Sequence, residues 1–311
     1  MLTRREAEKV GMGTTTELGE VHWLVSKNSN AYSRLRRITY SDLIHYSIND
    51  ALIATTITQE DVVKIAPGYT ETITGVGGLA LNKAGVKILG LGTYDYRPRF
   101  LMDGAATVSC LVTAANMTLE NCVFASGHSD VTVFATITAK GFKLKNCLFE
   151  SNTTDENFVT IINAGAADND YDGLVLEGNV MNYLQDNGAL TPIKLNKDSQ
   201  DVRILDNRIY ALLDTTPFAA IYSANTEHHM AIDIGYNQIH NTHTTDAVVG
   251  ISVGSTTSTG IMHHNMVYAL DVAGATPFVS AATGITLIEN YYNFVGDTTQ
   301  GYLDPVASTL A

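Results

Sequence analysis

Ile204-Leu-Asp-Asn207-Arg-Ile-Tyr210, Ile234-Gly-Tyr-Asn237-Gln-Ile-His240 and Met262-His-His-Asn265-Met-Val-Tyr268 are one phrase written three times. It recurs as Leu119-Glu-Asn121-Cys-Val-Phe124, as Leu144-Lys-Asn146-Cys-Leu-Phe149, around Asn179 between Leu176 and Met181, and as Leu287-Ile-Glu-Asn290-Tyr-Tyr292. The seven asparagines are separated by 25, 33, 28, 30, 28 and 25 residues. Self-similarity at this period is the signature of stacked repeats. Each unit reads as strand, turn, strand, Asn, strand, which makes it one coil of a parallel β-helix.

The phrase has a physical reading. An apolar residue closes one strand before the Asn, and the residue two after it (Val123, Leu148, Met181, Ile209, Ile239, Val267, Tyr292) is expected to face inward. The chain must bend sharply between them, and Asn tolerates the left-handed conformation such a bend needs. Coils stack about 4.8 Å apart. Asn121, Asn146, Asn179, Asn207, Asn237, Asn265 and Asn290 are therefore expected to line up as a buried ladder of mutually satisfied amides.

Composition sets the outer bounds. The chain has 311 residues, of which only 16% are charged and 45% are hydrophobic. Such a chain can fill a long tubular core in which each coil buries its face against its neighbours. No apolar run approaches the ~20 residues of a membrane span, so no membrane association is expected. The N-terminus lacks the basic-then-apolar pattern of a signal peptide. Net charge is −13 and unevenly spread. Residues 1–40 carry seven Lys/Arg against four Glu (+3), leaving 12 against 28 (−16) for the remainder. A basic arm on an acidic body suits an acidic protein partner. The body would repel phosphates, which argues against nucleic acid. Within the arm, Arg34, Arg36 and Arg37 are the candidate contacts. Cys110, Cys122 and Cys147 are odd in number and are expected to be reduced core residues.

Residues 41–57 are expected to form an amphipathic capping helix, with Ser41 as N-cap and Leu43, Ile44, Ile48, Ala51 and Leu52 on its apolar face. An open solenoid end is a hazardous sheet edge and needs such a cover. Residues 58–296 form the repeat, and 297–311 leave it as a tail, with Pro305 unable to donate to another strand.

Several segments carry a family resemblance. Gly19-Glu-Val-His-Trp-Leu-Val25, Ile48-Asn-Asp-Ala51 and Asp61-Val-Val-Lys-Ile-Ala-Pro-Gly-Tyr-Thr-Glu-Thr-Ile73 resemble the opening of pectin-lyase-like right-handed β-helix proteins. Gly77-Gly-Leu-Ala-Leu-Asn-Lys-Ala-Gly-Val-Lys-Ile-Leu-Gly-Leu-Gly92, then Arg97-Pro98 and the closing Gly301-Tyr-Leu-Asp-Pro305, is similar to β-helix proteins encoded in tailed-bacteriophage structural gene clusters. The chain departs from that group at residues 24–40, where a basic stretch replaces an acidic, Gly/Ser-rich one. The repeat count gives about eight or nine coils, and the resemblance implies that they form a single-stranded right-handed parallel β-helix. It implies a non-enzymatic virion protein that decorates or cements the capsid, bound to the major capsid protein. A homotrimer follows by analogy and from the flat, repetitive flanks of a solenoid. The alternative within the wider fold is a tailspike or tail fibre that binds or hydrolyses surface polysaccharide.

Motifs for chemistry are sparse. The Asp-Asp, Gly-His-Gly and Arg-x-Lys patterns of pectin-cleaving hydrolases are missing; Asn196-Lys-Asp198 stands alone and Gly127-His128-Ser129 is only a near match. Asp168-Asn-Asp170-Tyr-Asp172-Gly173 matches the first half of a calcium loop, but its twelfth position is Asn179 rather than Glu. Tyr236, His264 and Glu289, each one before an Asn, are expected to stack outward, as are Tyr210, His240 and Tyr268. No catalytic residue, metal or cofactor is expected.

Overall fold

The structure, a computed structural model, describes residues 20–303 apart from 28, 38, 40, 55–56, 154–155, 183–190, 212–218, 225, 242–248, 270–277, 281–283 and 295–300. Residues in the left-handed conformation, in the earlier coils Asn, Gly and Asp, turn the chain at two fixed places. The first αL column, entering one face, is Gly85, Asn116, Gly141, Gly173, Asp201 and Ala231. The second, leaving that face, is Asn121, Asn146, Gly178, Asp206, Tyr236, His264 and Glu289. Between these turns the strands pair in parallel with the coils before and after. The result is a single-stranded right-handed parallel β-helix with three faces: sheet A of 11 strands, sheet B of 10 and sheet C of 8. Eight complete three-strand coils run from Val62–Ile65 to Phe278–Ser280, followed by two further strands, Gly284–Ile288 and Asn290–Phe294.

The registers correct the sequence reading at its central motif. Asn179, Asn207, Asn237, Asn265 and Asn290 form one buried ladder: each Nδ2 donates to the next Oδ1 at 2.9–3.0 Å. Each Oδ1 also accepts a backbone N–H from the preceding coil, beginning with Cys147 N–H to Asn179 Oδ1 at 3.0 Å. The second Nδ2 hydrogen goes to a carbonyl one coil back, as in Asn207 to Leu176 at 2.9 Å. The amides of Asn207, Asn237 and Asn265 thus use both donors and both acceptor sites, while Asn179, first in the ladder, uses both donors and accepts from Cys147 N–H alone. Asn121 and Asn146 lie outside this ladder. They occupy the αL column, with φ of 58° and 53°, and the ladder column in those coils holds Cys122 and Cys147. The phrase in the first two repeats is therefore shifted by one residue. A one-residue shift moves every side chain to the other face of a strand. The inward positions there are Phe124 and Phe149, in line with Met181, and not Val123 and Leu148, which line up with Val180 and Arg208.

The core follows the same columns. Phe100, Phe124 and Phe149 stack with centroids 5.5 Å apart, and Phe134 and Phe158 pack on them edge-on or tilted from sheet C. Cys110, Cys122 and Cys147 are free and buried, and burial pushes all three thiols up, Cys147 to about 12.

The N-terminal segments differ from expectation. Among the described residues, the predicted helix over 41–57 is reduced to a 3₁₀ turn, Ser41–Leu43, and to α2, Ile48–Ile53, capped by Ser47, whose Oγ accepts Asp50 N–H at 3.1 Å. Ile44–His45 is instead a short strand, β2, on the edge of sheet A, while β1, Val21–Leu24, lies between β2 and β3, Val62–Ile65. The apolar spacing suited a helix, but the open sheet edge offered backbone partners that a helix would leave unused. Ile48, Ala51 and Leu52 of α2 still plug the core. Asn49 acts as a strand surrogate, donating to Gly78 O at 2.5 Å and accepting Ala80 N–H at 3.2 Å. The Glu71 carboxylate receives Ile48 N–H at 3.0 Å, and burial raises its pKa.

Residues 1–40 are consequently not one arm. Strand β1 and helix α1, Asn30–Leu35, belong to the folded body, with Val25, Leu35, Ile44 and Ala66 forming a small second core. Residues 1–19, with Arg4, Arg5 and Lys9, lie outside the described set. At the other end, Gly301–Leu303 within the expected tail is a strand that pairs antiparallel with Asn290–Phe294 and ends the parallel stacking of sheet B. Residues 304–311, with Pro305, lie outside the described set.

The two classes of asparagine should separate in denaturation experiments. Asn207→Leu strands amide partners above and below and is expected to cost ~1–3 kcal/mol. Asn146→Gly keeps the αL turn and should change stability by less than about 0.5 kcal/mol. Equal losses would place both residues in one ladder.

Candidate functional site

The ladder fixes what stands beside it on the outside. Between sheets A and B the αL column presents Asp206, Tyr236, His264 and Glu289. One position after the ladder stand Val180, Arg208, Gln238, Met266 and Tyr291; three positions after it stand Asn182, Tyr210, His240 and Tyr268. Tyr236 and His264 stack at 4.8 Å and 16°, and His264 Nε2 lies 2.8 Å from Glu289. Tyr210 to His240 and His240 to Tyr268 measure 5.8 and 4.5 Å between centroids. Both expected outward stacks are thus formed. Between them lies a shallow groove lined by Gly178, Val180, Asp206, Arg208, Tyr236 and Gln238. A Cβ at Gly235 would lie 2.4 Å from the His263 ring, so Gly235 lets that ring fold down to Asp233, 3.0 Å away.

Tyr236, His264 and Glu289 hold αL backbone where the earlier coils use Asn, Gly or Asp. For a bulky residue that conformation costs ~1 kcal/mol or more. The stacking offsets part of the cost. The sequence reading found the two aromatic columns from their spacing relative to Asn. It missed Asp206, Arg208 and Gln238, whose role depends on which neighbours stack beside them.

The corner between sheets C and A is different in kind. Asp168, Asp198 and Glu227 come from three successive coils and bring one carboxylate oxygen each within 4.8 Å of the others. Asp198 also accepts His228 N–H at 2.7 Å. The half calcium loop does not converge. Asp170 closes its own turn by accepting Ala166 and Ala167 N–H at 3.1 and 2.7 Å. Asp172 is buried against Lys140 at 2.8 Å and Gln200 N–H at 3.1 Å. Asn196, of the lone Asn-x-Asp match, donates to Asn163 at 2.7 Å and Asp198 turns to the acidic corner. His128 faces its own loop, 3.4 Å from Asp130 N–H.

Inside this corner His229 is fully buried. Its Nδ1 lies 2.8 Å from Ser199 Oγ and its Nε2 2.6 Å from Ser223 Oγ. Burial lowers its pKa to about 4, with Asp198 pulling the other way. At the solenoid's start His22 bridges His45, Nδ1 to Nε2 at 3.0 Å, and Asp61 at 3.7 Å; burial and the His22 charge lower the His45 pKa. Arg34, Arg36 and Arg37 are exposed at the end of α1, with Arg36 5.5 Å from the Tyr32 ring centre.

No protein-family model matches the chain, and no curated protein sequence matches it. Among solved structures, one described as a rhamnogalacturonan lyase is similar, with 11% sequence identity and a TM-score of 0.41, over 88% of this chain and 87% of that one. No helix among the described residues is long and apolar enough to cross a membrane.

His229 makes a pH prediction. Its folded pKa lies below the unfolded value, so the unfolded chain binds more protons and stability falls as pH drops from about 6.5 towards about 4. The loss reaches about 3 kcal/mol at the lower end. Denaturant titrations of wild type and His229→Gln should converge by that amount between pH 7 and pH 4. A pH-independent gap would mean that His229 is not held neutral.

Proposed function

We propose that this chain is a non-enzymatic structural protein of a bacteriophage virion. In this reading it decorates or cements the capsid as a homotrimer docked on the major capsid protein. The observation that carries the reading is Arg34, Arg36 and Arg37, exposed on a folded cap at one end of a chain whose net charge is −13. A rigid, acidic solenoid with a cluster of exposed arginines on its cap suits docking through that cap against an acidic protein surface. The flat strand faces give copies of the chain a repetitive side to share. The resemblance of Gly77–Gly92 to phage structural β-helices supports the same conclusion.

Deleting residues 1–40 would also remove β1 from between β2 and β3, so point substitutions make the cleaner test. Arg34→Ser, Arg36→Ser and Arg37→Ser together should leave the melting temperature unchanged and strongly reduce co-sedimentation with undecorated capsids. Wild-type binding should weaken with added salt, because exposed charges are screened over about 8 Å at physiological ionic strength. Full occupancy by the triple variant would move the interface to the solenoid flanks.

The groove lined by Tyr236, Arg208 and Gln238, with the Tyr210–His240–Tyr268 column on the same face, favours a second reading, a tailspike-type protein that binds polysaccharide. Aromatic faces beside Arg208 and Gln238 suit sugar rings and their hydroxyls. Glycoside hydrolysis needs two carboxylates about 5–9.5 Å apart across the bond. Asp206 is the one carboxylate of the groove lining, and the Asp168–Asp198–Glu227 cluster stands at a different corner. Purified protein is therefore expected to release no oligosaccharide from host capsule or lipopolysaccharide. Release abolished by Asp206→Asn would replace the decoration reading with the enzymatic one.

A further inference from the structure

The turns between sheets B and C hold an anomaly in hydrogen bonding. In one coil residues 126–131 link Val123–Ser126 to Val131–Ile137; in the next, 151–157 link Leu148–Ser151 to Phe158–Ala164. The strand ends that flank the two turns stack in register, Ser126 beside Ser151 and Val131 beside Phe158. Val131 N–H donates to Asn157 O at 2.9 Å, which sets Asp130 alongside Asn157. Ser126 Oγ lies 2.9 Å from the carbonyl oxygens of His128 and Asn157 and closes the corner from inside.

Five side-chain atoms at this corner are sealed from solvent and make no hydrogen bond: Asp130 Oδ1, Ser151 Oγ, Glu156 Oε2, and both Oδ1 and Nδ2 of Asn157. Asn157 as a whole is 1% exposed. Nearly all buried polar groups in native proteins have a partner, and a buried carboxylate oxygen with neither hydrogen bond nor counter-charge is costly. Among the described residues no ion pair reaches Asp130 or Glu156. Water could satisfy a hydroxyl or an amide but brings no counter-charge to the two sealed carboxylate oxygens.

We propose that this corner binds a divalent cation, Ca²⁺, through Asp130, Glu156, Asn157 Oδ1 and Ser151, clamping two consecutive coils together. Ca²⁺ accepts 6–8 oxygen ligands of mixed kind at about 2.3–2.6 Å in irregular geometry, whereas Mg²⁺ demands a near-ideal octahedron. The remaining ligands are waters, one of which accepts from Asn157 Nδ2. The site is independent of the decoration reading and of the groove.

The test uses full-length protein stripped with chelator. Millimolar CaCl₂ should raise its melting temperature by about 3–6 °C, as expected for ligand well above its dissociation constant, and MgCl₂ should raise it much less. Asp130→Asn with Glu156→Gln should abolish the Ca²⁺ shift, while Asp168→Asn, at the exposed acidic corner, should keep it. Asn157→Asp preserves size and adds a charged ligand, so calorimetry should show Ca²⁺ binding at least several-fold tighter. No Ca²⁺ shift in the stripped wild type would overturn the site and assign water to the corner. A shift that survives the double variant but is lost in Asp168→Asn would overturn it in favour of the other corner. Should the double variant fail to fold, unchanged affinity in Asn157→Asp would equally refute the proposal.

Discussion

A buried side-chain amide can be tolerated only if its hydrogen-bonding groups are met, and in this solenoid the partners come from adjacent coils. The column from Asn179 to Asn290 turns that requirement into a register lock. Sliding one coil by a residue would withdraw an amide from the partners on both sides and turn an apolar strand face outward at the same time. The lock holds sheet A to sheet B through a two-residue corner. Before the ladder begins, the same column holds Cys122 and Cys147, whose thiols sit near carbonyls of their own coil, 3.5 Å from Glu120 and 3.3 Å from Lys145. There the stacked rings of Phe100, Phe124 and Phe149 carry the alignment instead. The chain thus secures its early coils by aromatic packing and its later coils by amide bonding.

A lock at one corner determines the surface around it. Because the Asn column cannot move, the residues one before, one after and three after it line up outside, coil upon coil. Two of those columns became aromatic stacks and one carries Arg208 and Gln238 between them. The αL residues Tyr236, His264 and Glu289 are the backbone's least comfortable positions in the later coils, and they stand on this surface. Strain of that kind gathers where side chains are used for recognition. The three carboxylates at the corner between sheets C and A stand apart from these rings.

The ends need their own solutions, since a parallel coil leaves a sheet edge open on every face. At the start, β1 and β2 extend sheet A, Asn49 mimics a strand against sheet C, and α2 covers the core. His22 and Asp61 close the polar part of that end, with Asp61 accepting Glu20 and Thr58 N–H at 2.5 Å. At the far end Gly301–Leu303 reverses direction, which ends parallel addition on sheet B. The basic residues of α1 therefore ride on a folded cap.

The sequence by itself determined the solenoid, because a buried column repeating every 25–33 residues has few other physical meanings. It also determined the outward aromatic columns, which follow from counting along the phrase, and the buried, reduced state of the cysteines. The register of the first two repeats was not legible there. Asn-Cys and x-Asn look alike as text, and only pairing with the next coil distinguishes the turn Asn121 and Asn146 from the ladder. The helix over 41–57 failed for a related reason, since an i, i+3, i+4 apolar pattern is also met by a short strand followed by a short helix. Tertiary structure alone decided the rest. The carboxylates of Asp168, Asp198 and Glu227 are about 30 residues apart and become neighbours through stacking. Whether a polar side chain such as Asn157 finds a partner depends on the coil beside it, and local sequence carries no record of that neighbour.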